Sequence, residues 1–372
     1  MDVYSRKIKV HRITFKEQKL NSLDKLMRNM EKKYGEGSLM KSSSDAPTNI
    51  ERIPVSSPKI GDVLGRGGLP RGRVLELFGV ESGGKTSLSC YLAGQVQQWY
   101  NEEKQRQGRV AFIDAEHALD IEYAQTFGFN TSEALIAQPN SGEQALDIAI
   151  DLAESGEVDF IVIDSVAALT PKSELEGEMG DQQMGAQARM MGKGLRKITT
   201  ILSESKCTLL FINQVRMTMG GYGNPETTSG GKALKFFASI RLEIRKIEFM
   251  NAKNEVIGLR SRLKGVKNKT APPMRKHEIE FYFGEGINSD LEWVDFAIQY
   301  GVIQKGGAWF SLPNVEDKFQ GKNKVVEYLK DHPEEYNSII AETKKRMYPV
   351  VKNSDRDQVI TEEVEDEDFE ES

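Results

Sequence analysis

An α/β fold built on a mainly parallel central sheet is predicted by three observations. From about residue 50, short apolar runs rich in β-branched and aromatic residues alternate with longer helix-patterned segments. That alternation is the signature of strand–helix–strand winding. The first run passes through a glycine-rich turn straight into a helix pattern. Three further strand-like runs between residues 239 and 283 follow one another with no long helix between them. They read as antiparallel strands added at the sheet edge.

The chain has 372 residues, enough for two or three domains and a large core. No apolar run approaches the roughly 20 residues of a membrane span. The opening stretch MDVYSRKIKVHRITFKEQ has no apolar h-region, so a cytoplasmic protein without a secretory signal is expected. Cys90 and Cys207 stand far apart in apolar surroundings, as expected of buried thiols in a reducing compartment. None of the four histidines is spaced with Cys or carboxylates as a metal site. The net charge of −6 is uneven: the last twelve residues, TEEVEDEDFEES, hold eight acids, and without them the remainder carries +2. Residues 1–33 carry ten Lys/Arg against four acids. Either the acidic tail is a solvated end, or it competes with a polyanion for basic patches.

Taken in order, residues 1–19 are basic, unpatterned and expected to be loose. Leu23, Leu26, Met27, Met30 and Tyr34 fall at helix spacing, with Ser22 as N-cap and Gly35 as stop. This lone amphipathic helix needs a surface, from its own core or from a neighbouring subunit. A polar linker follows. RVLELFGV (73–80), RVAFIDAE (109–116), DFIVIDS (159–165) and CTLLFIN (207–213) are the expected core strands. GKTSLSCYLAGQVQQWY and MGKGLRKITTILSES are helices between them. SIRLEIRKI (239–247), LRSRLKGVKN (259–268) and HEIEFYF (277–283) form the antiparallel edge. LEWVDFAIQYGVI and KVVEYLKDHPEEYNSIIAETKKR carry helix patterns in a small α+β region. The expected division is 1–49, an N-terminal basic segment and helix; 50–284, the core; 285–346, a small C-terminal domain; and 347–372, a disordered acidic tail.

The chemistry starts at GVESGGKT, Gly79 to Thr86, which matches G-x-x-x-x-G-K-[ST] between a strand and a helix. Backbone N–H groups of such a loop surround phosphate oxygens, aided by the helix dipole. Gly79, Gly83 and Gly84 are read as permitting that backbone path. Lys85 would reach the β- and γ-phosphates and the Thr86 hydroxyl would ligate Mg2+. Asp164 ends the buried run FIVID, the place for a carboxylate that supports the metal, with Ser165 beside its water shell. Glu116, at the end of AFIDAE, could orient or deprotonate a water; on the residues alone it is equally a surface acid. Tyr123 is an adenine-stacking candidate or a core tyrosine. Gln214 sits beyond a strand end, where open α/β sheets bind ligands. It could couple nucleotide state to the glycine-rich stretch after it. Two stretches rich in glycine and methionine, 174–194 and 213–235, are flanked by Arg189, Lys193 and Arg196, and by Arg216, Lys232 and Lys235. Mobile backbone with scattered bases suits a single strand of nucleic acid.

GVESGGKT, AFIDAEHALD, IDSVAALTPKSELEGEMGD, ARMM, GNPETTSGGKALKF, VKNK and GEGIN resemble, in this order from about residue 20 to 335, the sequences of bacterial RecA-type recombinases. The resemblance implies a RecA-type P-loop NTPase core with an N-terminal oligomerisation helix and a small C-terminal α+β domain. It also implies a DNA-dependent ATPase that forms a helical filament on single-stranded DNA and pairs it with homologous duplex DNA. ATP and Mg2+ would be held by Gly79, Glu81, Ser82, Gly83, Gly84, Lys85, Thr86, Ser87, Asp120, Tyr123 and Asp164, the metal by Thr86 and, through water, Asp164. Glu116 would activate water and Gln214 would sense the γ-phosphate. Lys267 and Lys269 would reach the nucleotide of the adjacent subunit. DNA-binding loops at 176–185 and 213–229 would bring Met184, Arg189, Arg196, Arg216, Met217, Gly230, Gly231 and Lys232 to the strand. Phe236 would be an interface residue, the 20–35 helix would dock on a neighbour, and mediator proteins would assist.

The chain departs from the family pattern at Val80, Gly83, Ile121 and Lys232, where Pro, Ser, Pro and Asn are usual, and in a second loop one residue shorter. Gly83 is expected to add backbone freedom. Other readings are a ring-shaped motor of the same fold, a small-molecule P-loop kinase and a non-catalytic DNA-binding protein. Rings in electron micrographs would mark the first, and indifference to DNA the second. The third has no use for Glu116.

Overall fold

The computed structural model describes residues 23–35, 39, 50–177, 185–217 and 226–349, with backbone alone for residues 216, 217, 226 and 227. The basic segment 1–19, the Ser22 cap, Met184, residues 350–372 with the acidic tail, and the side chains of Arg216 and Met217 therefore lie outside the described residues. Two compact units are present, residues 1–50 and 51–372. In the first, residues 23–34 form the expected helix, and Gly35 ends it with φ +95° and an N–H donated to the Glu31 carbonyl. Leu23, Leu26 and Tyr34 are exposed.

The second unit is organised by a large sheet. Its main strands are β1 (Val74–Gly79), β2 (Val110–Asp114), β3 (Leu135–Ala137), β4 (Phe160–Asp164), β5 (Thr208–Met217), β6 (Ile240–Ala252), β7 (Glu255–Asn268) and β8 (Lys276–Tyr282). Their order across the sheet is β8-β7-β6-β1-β5-β4-β2-β3. The pairings from β6 through β3 are parallel; β6–β7 and β7–β8 are antiparallel. The mainly parallel sheet with an antiparallel edge is thus as the sequence predicts.

Strand periodicity explains why the central runs are apolar at successive positions. Successive side chains point to opposite faces. Leu75, Leu77, Phe112, Phe160 and Val162 enter one core with Leu88, Leu92 and Val96 of the helix Lys85–Gln98. Val74, Ile113, Ile161, Ile163 and Phe211 enter the other with Leu146 of Gly142–Glu154 and Leu195 of Ala186–Ser205. Both faces are covered, so both are largely apolar, and the buried Glu76 and Asn213 are hydrogen-bonded to each other.

Four details differ from the pattern reading. The β6–β7 hairpin runs several residues past 247, through a turn where Lys253 and Asn254 have φ +48° and +71°. Two consecutive positive φ values suit a tight hairpin turn, and no Asn-Gly signals it. β5 continues to Met217 and pairs with Glu226–Thr228. Residues 213–217 and 226–228 are therefore ladder, not loop. The pattern at 324–346 is two helices, Lys322–Asp331 and Pro333–Met347. Pro333 has no N–H to continue the first, and it sits at the start of the second, where none is needed. The short β3 was not foreseen.

Beyond β8, the helix Ser289–Gln299, a three-stranded antiparallel sheet and the last two helices enclose a separate core that includes Val294, Ile303, Phe310 and Leu329.

Candidate functional site

Parallel register brings the candidate residues to one edge. Gly79 pairs with Gln214, and Asp114 with Asp164, so the ends of β1, β2 and β4 and Gln214 of β5 lie at the same carboxyl edge. Ligands of open α/β sheets bind there.

The loop after β1 depends on two of its glycines. A Cβ on Gly79 would lie 2.0 Å from the Ile244 carbonyl oxygen, so no side chain fits. Gly84 has φ +90° and starts the helix Lys85–Gln98. Gly83 differs from the expectation: its φ is not left-handed, and a Cβ would meet the Val80 oxygen at 3.2 Å. It grants little freedom that a serine would lose. The non-glycine strained residue is Ser82, at φ +56°. Lys85 donates to the Val80 carbonyl at 2.8 Å, and partial burial lowers its pKa. Glu81 is exposed. Val80 and Ile121, where prolines were expected, are both exposed; Ile121 opens a helix, a place proline only pre-organises.

Thr86 donates its hydroxyl to Asp164 at 3.1 Å. Asp164 is buried, and its pKa is raised to about 6, chiefly by desolvation and then by the charge of Glu116. The nearby Lys85 charge offsets only part of this rise. Among the described residues no group of three or more His, Cys, Asp or Glu could hold a metal. A divalent ion on Thr86 and Asp164 would need oxygens from a phosphate. The donor set, a hydroxyl and a carboxylate beside a lysine at a helix N-terminus, fits that arrangement.

Glu116 accepts hydrogen bonds from the Ser165 hydroxyl and from Gln214 Nε2, the latter at 3.2 Å. The structure thus joins the strand-end acid to the residue at the root of the second loop. Asp114 holds the turn between them and Asp120, accepting from the N–H groups of Ala118 (3.1 Å) and Leu119 (3.3 Å). Asp120 caps its helix by accepting from Tyr123 N–H at 3.0 Å. The Tyr123 hydroxyl lies 2.6 Å from Ser87 Oγ, so the adenine candidates are tied to the phosphate loop.

Lys267 and Lys269 are elsewhere. Lys267 faces Arg241, which faces Glu76, three residues before Gly79. That is about 10 Å back along the strand, at ~3.3 Å per residue, and two strands over. The Lys267 ammonium instead donates to the carbonyls of Lys235 (2.7 Å) and Phe236 (3.1 Å), and that of Lys269 to Phe236 at 3.5 Å. Phe236 itself is 70% exposed. These three residues form one cluster, with Phe236 and Lys269 exposed and Lys267 half-buried, away from the chain's own phosphate loop.

Arg189, Lys193 and Arg196 are exposed on one face of Ala186–Ser205. With Ala188, Gly192, Ala233 and Phe237 they line a groove of about 580 Å³. Lys232 is exposed at the start of the helix Ala233–Phe237. Gly230 (φ +80°) is buried and Gly231 (φ +75°) exposed, both packed on neighbouring residues. Sequence reasoning missed Asn213, which is buried and donates to Glu76 (3.0 Å) and to the Ser229 carbonyl (3.1 Å). A polar residue inside an apolar strand was the available signal.

Family models for the RecA N-terminal domain and the RecA C-terminal domain match residues 21–288 and 292–347. The chain belongs to the RecA family. Protein RecA of Citrifermentans bemidjiense is 47% identical over 321 residues, covering 86% of this chain and 93% of that protein. Protein RecA of Thermus aquaticus is 47% identical over 338 residues, covering 90% and 97%. RecA of Geobacter sulfurreducens is 47% identical over 87% of this chain and 94% of its own length. As a member of this family, the protein is a DNA-dependent ATPase. It forms a filament on single-stranded DNA and catalyses homologous pairing and strand exchange with duplex DNA in recombination and repair.

Proposed function

We propose that this chain hydrolyses ATP with Mg2+ at the Gly79–Ser87 loop, and that Glu116 is the acid that activates water. The observation that carries this reading is the Ser165–Glu116–Gln214 contact beside the Thr86–Asp164 pair. Glu116 orients a water toward the γ-phosphate and accepts its proton. Lys85 leaves the Val80 carbonyl for the β- and γ-phosphate oxygens. Thr86 and, through water, Asp164 would hold the metal, which would offset charge on those oxygens. Asp120 and Tyr123 contact adenine; Glu81, Ser82, Gly83, Gly84 and Ser87 complete the cradle. Gln214 exchanges Glu116 for the γ-phosphate, so that the stretch after β5 responds to nucleotide.

Met184, Arg189, Arg196, Arg216, Met217, Gly230, Gly231 and Lys232 are the proposed DNA contacts, from the loops 176–185 and 213–229 and the chain beside them. Lys267 and Lys269 serve the nucleotide of an adjacent subunit, with Phe236 in the same interface and the 20–35 helix docked on a neighbour. The proposed domains are 1–49, 50–284, 285–346 and 347–372. A cytoplasmic setting and mediator proteins belong to the same proposal. Among the described residues no helix is long and apolar enough to cross a membrane.

ATP hydrolysis with and without unstructured single-stranded DNA tests the reading, with Lys85→Ala as blank and Glu116→Gln as the probe of water activation. DNA-stimulated turnover should vanish in both, while Glu116→Gln retains nucleotide binding. Undiminished turnover in Glu116→Gln would remove Glu116 from the chemistry.

A further inference from the structure

Three chain segments meet at one side-chain amide. Gln187 lies in the first turn of Ala186–Ser205, just after residues 178–184. Its Nε2 donates to the carbonyls of Val166 at 2.8 Å and Leu169 at 3.1 Å. Its Oε1 accepts from the N–H of Gly230 at 3.2 Å. Val166 directly follows Ser165, the residue that donates to Glu116. Gly230 ends the stretch that returns from β5. The backbones are as close as the hydrogen bonds imply. A Cβ on Gly230 would lie 2.7 Å from Val166 Cγ1, and one on Gly231 would lie 2.8 Å from Ala188 Cβ. Among the described residues no other side chain is hydrogen-bonded to both the Val166–Leu169 turn and Gly230.

We infer that Gln187 is a positioning residue that couples DNA binding to ATP hydrolysis, by tying the roots of both DNA loops to the strand end that carries Ser165 and Asp164. The inference rests on the reading of residues 176–185 and 213–229 as the DNA loops. Coupling between sites needs a physical connection that both can bias. An amide that donates to one partner and accepts from another supplies one, because a shift of Gly230 moves Gln187 against the Val166 carbonyl. From there the path to Glu116 is one residue and one hydroxyl. Gln187 touches neither nucleotide nor the reacting atoms, so its loss should leave DNA-free hydrolysis alone.

The test compares wild type with Gln187→Leu, which is similar in size but cannot hydrogen-bond, and Gln187→Glu. The glutamate keeps the acceptor for Gly230 but turns negative charge on two carbonyl oxygens. Hydrolysis is measured without DNA and across a titration of single-stranded DNA, with thermal unfolding as control. Both variants should lose DNA stimulation by about fivefold or more, keep DNA-free turnover within about twofold, and unfold cooperatively like wild type. Full stimulation in a folded variant would overturn the inference. So would an equal fall of both rates, or failure of both variants to fold, since Gln187 would then be a support of the fold alone. Absence of DNA stimulation in the wild type would instead refute the DNA-loop reading beneath it.

Discussion

Replacing Asp164 with Asn should make the ligand-free protein more stable while removing its activity. Burial and the nearby Glu116 disfavour the charge of Asp164 and push its pKa from the ordinary 3.8 up to about 6. The folded state therefore holds a proton that the unfolded state releases. Stability falls as pH rises through this window and stays at the lower level above it. At 1.36 kcal/mol per pH unit the full cost is about 3 kcal/mol. Asn keeps an acceptor for the Thr86 hydroxyl but carries no charge. It also forgoes the attraction of Lys85, so a net gain of about 1–3 kcal/mol is expected. Denaturant unfolding of wild type and Asp164→Asn, without nucleotide, is the assay. The curves should nearly coincide around pH 4 and separate around pH 7.5, the variant being the more stable. DNA-dependent hydrolysis should fall by about a hundredfold or more, as metal support is lost. A variant no more stable than wild type at pH 7.5 would refute the argument that burial and Glu116 make the charge on Asp164 costly.

Gly79→Ala should destabilise the protein by about 3 kcal/mol or more and abolish nucleotide binding, because its Cβ would meet the Ile244 oxygen at 2.0 Å. Gly83→Ser, in contrast, should cost less than about 1.5 kcal/mol; parallel melting curves and nucleotide titrations check both. Lys193→Gln should weaken single-stranded DNA binding and lower the slope of log affinity against log salt by about 0.7, since Lys193 shares its groove with Arg189 and Arg196; an unchanged slope would place the strand elsewhere. Phe236→Glu should block filament assembly in light scattering while shifting subunit stability by no more than about 0.5 kcal/mol, as expected of a side chain left 70% exposed by its own fold.

Much of this protein is written in local pattern. A strand, a glycine turn and a helix are contiguous, so GVESGGKT declares its backbone and its chemistry without help from distant residues. The central runs are apolar on both faces because both are buried, and the helix at 23–34 shows its stripe whether or not a partner is present. Asp164 could be placed at a strand end by counting apolar residues before it.

Contacts between distant residues required the folded chain. Glu116 meets Ser165 and Gln214 across separations of 49 and 98 residues. Residue type offers candidates for such pairs, but only strand order and register choose among them. The same holds for Lys267 and Lys269, whose distance from their own phosphate loop follows from two pairings, β7 on β6 and β6 on β1. Gln187 looks unremarkable in the chain, since its partners are backbone groups that any residue presents. The glycine-rich stretch after β5 was overestimated for a related reason. A backbone ladder between 215–217 and 226–228 needs no apolar side chains to announce it, because its stabilising groups are the N–H and C=O that every non-proline residue carries.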